Sequence, residues 1–276
     1  LRISDTLAVR RTLAGLLFGL AYLCAGLTAA SFLLQRASFD PGRAGESTDV
    51  VLGDEEIMKV IDSTIVDAAA PALKQDPATM RATVELVAHH PDGHQFFAPL
   101  VHDANASLIG DLEGAVQLTG AQLVPILRTE AAATLSPVVF DVPRQGSLAL
   151  AHTVLRWLIP IGALATLVFA VLGLTTHPDL AALMRSLALG LLLMAALIVL
   201  IGYLVPRFLV PALSDSPWVN ISSAMADDSA TLVVGTVAVL LLGAGALLVG
   251  TGAMQRRRRW STPVSTYRYS EERHWS

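Results

Sequence analysis

Four stretches of the chain, residues 12–34, 157–175, 186–205 and 230–253, contain no Asp, Glu, Lys, Arg or His. They are 19 to 24 residues long. At a rise of about 1.5 Å per residue, helices of that length cross a hydrocarbon layer of about 30 Å. A single charge near the middle of such a helix costs roughly 2.5 to 3.5 kcal/mol on insertion, so four charge-free runs in one chain predict four membrane-spanning helices.

Between the first two runs the pattern changes to amphipathic helices. Residues 39–53, with Pro41, Gly42 and Gly45, show no regular period and read as a linker. Asp54, Glu55 and Glu56 then supply a cap and first-turn acids for a helix with Ile57, Val60, Ile61, Ile65, Ala68 and Ala69 on one face, expected to end at Ala70 before Pro71. Asp76 followed by Pro77 opens a second helix with Met80, Val84 and Val87 as its apolar stripe. A third carries Phe96, Phe97, Leu100, Val101, Ala104, Leu108, Ile109 and Leu112 at helical spacing, with Pro99 kinking it or delaying its start. Residues 115–118 and 138–142 alternate like short strands, and residues 122–135 can form one more helix. From Ser147 the helical pattern runs into the second span without a breaker before Pro160, which predicts rigid coupling between this domain and the membrane. The fold class is mainly α: a four-helix transmembrane bundle with a mostly helical extracytoplasmic domain between spans one and two.

Charge sets the orientation. Residues 35–153 hold 7 basic and 16 acidic side chains, whereas residues 1–11 and 254–276 together hold 9 basic and 3 acidic ones. The positive-inside rule places both termini in the cytoplasm, residues 35–153 outside, residues 176–185 as a cytoplasmic turn and residues 206–229 as an outer loop whose Trp218 suits the interface. Arg256, Arg257, Arg258 and Arg259 follow the last span directly and sit at the membrane surface, where topology accounts for them and anionic lipid would attract them. The remaining tail is basic and then polar.

Composition agrees. With 53% hydrophobic and 15% charged residues, the chain is more apolar than a soluble domain, whose charged share is about a quarter. Cys24 is the one cysteine, in mid-span, so the outer domain is held by packing or by a partner rather than by disulfides. Leu23 before Cys24 argues against a lipoprotein signal, and the 23-residue apolar run favours a retained anchor over a cleaved signal peptide. Arg outnumbers Lys 17 to 2, which points to a GC-rich bacterial genome. In that setting the sequon matches at Asn105 and Asn220 carry no weight.

Candidate chemistry is sparse. His89, His90 and His94, with Asp92 among them and His102 and Asp103 beyond, could converge on zinc; the same run reads first as a turn between helices, and no spacing forces two imidazoles onto one face. Gly15, Gly19 and Gly26 in the first span and Gly243 and Gly250 in the fourth form small-residue stripes for close helix packing, either within the chain or against a partner. The spans hold no ionisable group that could relay protons or bind an ion, which disfavours a pump or transporter acting alone. No cofactor other than zinc is suggested, and nothing suggests nucleic acid; the bilayer and a membrane or envelope protein are the expected partners.

Residues 54–66 (DEEIMKVIDSTIV), 96–108 and 140–160 (FDVPRQGSLALAHTVLRWLIP), in this order of anchor, acidic helical domain, paired spans and final span, resemble a group of uncharacterised actinobacterial four-span integral membrane proteins. The resemblance implies envelope location and topology and assigns no activity to particular residues. The histidine-rich turn departs from that group. The sequence therefore leads to a non-enzymatic multi-pass envelope protein with an outer interaction or scaffold module. An accessory subunit of a transporter or envelope-synthesis complex, and a metal-dependent envelope enzyme using the histidine turn, are its rivals.

Overall fold

The structure, a computed structural model, describes residues 3–176 and 180–260; the side chains of residues 3–12, 176, 180–182 and 253–260 lie outside that description. Four helices are long and apolar enough to cross a membrane, over Leu13–Ser38, Gly146–Thr175, Leu183–Leu209 and Ala230–Gly252. They belong to α1 (Ile3–Ser38), α8 (Gly146–Thr176), α9 (Leu180–Leu197) with its π-helical continuation Ile198–Leu209, and α11 (Ala230–Trp260).

The order in which these helices touch is open rather than cyclic. α1 packs between α8 and α9, and α11 packs on α9. Close approach is provided by glycines facing large side chains of α1. A Cβ at Gly190 would fall inside the Tyr22 ring, one at Gly162 would meet Thr28 Oγ1, and one at Gly173 would press on Phe18 at 3.0 Å. The outward faces of α8 and α11, with Ile161, Leu164, Leu167, Val239, Leu242 and Val249, are exposed and apolar, as lipid contact requires.

Everything between the first two spans folds into a head domain of small elements. α2 (Pro41–Glu46) and α3 (Thr48–Leu52) occupy the stretch expected to be an irregular linker. Asp40 caps α2 by accepting from the Arg43 N–H, and Ala44, Val51 and Leu52 are buried, so tertiary burial organises a segment whose glycines and proline concealed its period. α4 (Glu55–Leu73) is capped by Asp54, which accepts from the N–H groups of Glu56 and Ile57. It runs past Pro71 rather than stopping at Ala70. The carbonyl of Asp67, left without its helical donor by Pro71, belongs to an exposed residue that water can reach. α5 (Pro77–Ala88) is capped by Asp76 as its sequence signals.

Pro99 delays rather than kinks the third amphipathic helix. α6 (Ala98–Ile109) starts at that proline and ends at Gly110, whose φ of 80° is a left-handed conformation that glycine adopts without strain. β1 (Val116–Leu118) pairs antiparallel with β2 (Val138–Phe140), Val116 opposite Phe140 and Leu118 opposite Val138. α7 (Gly120–Leu127) is shorter than the helix expected over 122–135, because Arg128 turns left-handed and a 3₁₀ segment, Glu130–Thr134, follows.

The second outer loop is not a surface connection. Its 3₁₀ turn Pro217–Asn220 and α10 (Ile221–Asp228) insert into the head, where Trp218, Val219, Ile221, Ala224 and Met225 join the main core. Trp218, expected at the membrane interface, is instead 1% exposed and packs edge-to-face on Phe140, with ring centroids 6.1 Å apart. Polar ties fix the same docking. Arg43 Nη2 and Ser47 Oγ both donate to Asp228 Oδ2 at 2.8 Å, Asn220 Nδ2 donates to Glu56 at 3.1 Å, and Gln145 Nε2 donates to Ser214 at 2.8 Å. The core continues into the membrane helices through Leu34 of α1, Leu148 and Leu155 of α8, and the partly buried Ile201 and Val205.

Trp218→Ala should therefore destabilise the whole head rather than one loop, by about 3 to 5 kcal/mol, the usual cost of emptying a buried aromatic site. Hydrogen exchange of the α4 amides, remote in sequence, should accelerate in the variant; unchanged protection there would show the loop to be an independent unit.

Candidate functional site

A concavity of the head lies between α4 and α5. It has a volume of about 510 Å³ and is lined by Leu52, Gly53, Glu55, Met58, Lys59, Asp62, Ser63, Arg81, Glu85 and His89. That size suits a small ligand. Two helical stripes build it. On α5, Arg81, Glu85 and His89 recur every four residues and so share one face. On α4, Met58, Asp62 and Val66 form a buried stripe with the same spacing, next to the fully apolar stripe of Ile57, Ile61, Ile65 and Ala69.

Asp62 is the anomaly in this arrangement. It is 4% exposed, and its Oδ1 has no hydrogen-bond partner. Its pKa is raised from 3.8 to about 7, chiefly because burial disfavours the charged form. The Glu85 charge and a side-chain hydrogen bond with Glu85 push in the same direction, while the charges of Arg81 and His89 oppose them. Asp62 and Glu85 thus form a carboxyl pair across the two helices, with a guanidinium and an imidazole a helical turn to either side of Glu85.

The histidines named from the sequence are distributed along one turn. His89 ends α5 with its Nδ1 2.8 Å from the Glu85 carbonyl oxygen, His90 Nδ1 accepts from the Asp92 N–H at 3.2 Å, and His94 opens the 3₁₀ turn His94–Phe96. A Cβ at Gly93 would collide with the Val87 carbonyl, so this tight turn requires glycine. His102 Nδ1 lies 3.0 Å from Asp103 Oδ1. Among the described residues, no three His, Cys, Asp or Glu side chains come together in a group that could hold a metal ion.

Of the glycines named from the sequence, Gly26 packs against Leu197 and Met194, and Gly243 faces Leu191 at 3.4 Å, both within the chain. Gly15, Gly19 and Gly250 have open space where a Cβ would stand. Gly19 borders a second cleft of about 430 Å³ between α1 and α9, with Tyr22, Arg185 and Gly190. The backbone of Arg256, Arg257, Arg258 and Arg259 continues α11, and their side chains lie outside the described residues.

Sequence reasoning passed over Asp62 and Glu85. The available signal was a carboxylate at the centre of the stripe Met58, Asp62, Val66, and a charged i, i+4, i+8 row on the helix that follows. Only the pairing of α4 with α5 turns those two patterns into a site.

Because Asp62 holds its proton to about pH 7 in the folded protein but only to 3.8 as an ordinary carboxyl, the folded state binds more protons between those values. Stability should then fall as pH rises across that window and level off above it. Asp62→Asn should flatten this dependence and raise stability above about pH 7 by at most roughly 4 kcal/mol. Thermal unfolding of the purified protein across this range checks both, and an unchanged pH slope in the variant would assign the dependence elsewhere. Comparison of the chain with family models, curated proteins and solved structures finds no match; its own residues make it a multi-pass membrane protein with an extracytoplasmic helical domain.

Proposed function

We propose that this chain is a non-enzymatic cell-envelope protein whose outer domain, held at a fixed position above the membrane, serves as an interaction or scaffold module for another membrane or envelope component. The observation that carries this reading is the continuous core: side chains from α1, α8 and the segment after α9 enter the same apolar cluster as α4, α5, α6 and α10. A catalytic domain tolerates a flexible tether. A module that must present one face to a partner at a fixed height gains from a rigid mount, because less freedom is lost on binding. In the same reading both termini are cytoplasmic and the chain belongs with the actinobacterial four-span proteins it resembles over residues 54–66, 96–108 and 140–160.

A second reading, an accessory subunit of a larger membrane complex, is supported by one specific feature. Gly15, Gly19 and Gly250 leave room along α1 and α11 that no described residue fills, and small residues of that kind admit a neighbouring helix closely.

Purification of the full-length protein in mild detergent followed by mass spectrometry should recover a stoichiometric protein partner, and recovery of the chain alone under varied mild conditions would count against both readings. Gly19→Leu should release a partner seated in the membrane and leave one seated on the head in place. Orientation is checked by an impermeant maleimide in a Cys24→Ala background. Ser63→Cys should label in intact cells and Ser265→Cys only after permeabilisation; the reverse pattern would invert the topology.

A further inference from the structure

We propose that the groove between α4 and α5 is a binding site for a small zwitterion, its ammonium seated on the Asp62–Glu85 carboxyl pair and its anionic group on Arg81. This goes beyond the interaction reading above and does not depend on it, since the groove is complete within one chain.

The first argument is the orphaned oxygen. Asp62 lines the groove wall, and its Oδ1 is buried without a hydrogen-bond donor. A buried polar atom in that condition costs free energy that a donor in the groove would recover. An ammonium group offers three donors and a positive charge, enough to serve the Asp62 and Glu85 carboxyls together.

The second argument is the distribution of charge along the groove. Glu85 and Arg81 stand four residues apart on α5, so their attachment points are separated by about 6 Å along the helix axis. The carboxyl pair lies at the middle of the groove, Arg81 towards the α4–α5 turn, and Glu55 and His89 at the other end. Lys59 flanks the same wall from α4. A purely anionic ligand would meet two carboxyl groups, and a purely cationic one would leave Arg81 without a counterpart. A ligand with opposite charges about a helical turn apart satisfies both. A divalent metal is a poorer occupant, because no third carboxylate or imidazole among the described residues joins Asp62 and Glu85. ω-Amino acids and short peptides both contain charges at this separation, whereas an α-amino acid carries both charges on one carbon.

The groups facing Asp62 are Glu85, Arg81 and His89 from α5, with Glu55 and Lys59 on its own helix. Protonation of Asp62 removes part of the ammonium's counter-charge, so affinity should fall on acidification below about pH 7.

Isothermal titration of the full-length protein in detergent at neutral pH, with δ-aminovalerate, pentylamine and valerate as probes, tests the assignment. δ-Aminovalerate should bind at least about tenfold more tightly than either single-charge analogue. Arg81→Ala should reduce that preference to the level of pentylamine, and Glu85→Gln should weaken both amines; both positions are exposed, so these variants keep the fold. Asp62→Asn should abolish amine binding. Glycylglycine in the same assay distinguishes a site that accepts peptides from one confined to ω-amino acids, and glycine, whose charges are too close together, should not bind. Equal affinity for the three first probes, absence of heat with all of them, or titrations unaltered in Arg81→Ala and Glu85→Gln would overturn the proposal.

Discussion

The rest of the structure depends on one apolar core that crosses the boundary between membrane and head. The head has no disulfide, and its elements are short, several of them of eight residues or fewer. Such pieces do not persist alone, because helix nucleation is costly and burial must offset the loss of chain entropy. Here burial comes from distant segments at once: α4, α5 and α6 from the first loop, Trp218 and α10 from the second, and Leu34, Leu148 and Leu155 from the spanning helices themselves. Two loops more than sixty residues apart in sequence thereby become one domain, and that domain inherits the orientation of the spans.

Within this core, Asp62 departs from the rule that buried positions are apolar or fully satisfied. The raised pKa partly compensates, since Asp62 keeps its proton to about pH 7 and so avoids the charge that burial disfavours. What is left is a buried carboxyl oxygen without a donor, on a residue that lines a groove of polar groups of both signs. Departures of this sort tend to coincide with function, because sequences that serve folding alone have no reason to keep them. In this protein the departure occurs on the head, well separated in the chain from the spans, so ligand chemistry and membrane anchoring are handled by different elements.

The membrane layer follows a different logic. In lipid there is no hydrophobic gain from joining two apolar helices, so close contact depends on small residues that let backbones approach. Gly162, Gly173, Gly190 and Gly202 provide that approach for the side chains Thr28, Phe18, Tyr22 and Leu33 of α1. The consequence is an open row, α8 to α1 to α9 to α11, in which the two outer helices keep broad apolar faces towards the bilayer.

The sequence by itself determined what depends on local pattern. Charge-free runs locate the four spans, Asp54 and Asp76 mark where α4 and α5 begin, and the stripe of Met80, Val84 and Val87 names the buried face of α5. Alternation marks the two strands. Each of these is a relation among residues within a few positions of one another, and geometry of a single helix or strand fixes it. Only the tertiary structure decided what depends on pairing between segments. It placed Trp218 against Phe140 instead of at the interface, gave residues 41–52 a helical form by burying Ala44 and Val51, showed which glycines face a neighbour, and brought Asp62 beside Glu85. The physical reason is the same in each case: burial, close approach and a shifted proton are properties of surroundings contributed by another part of the chain, and no local period records them.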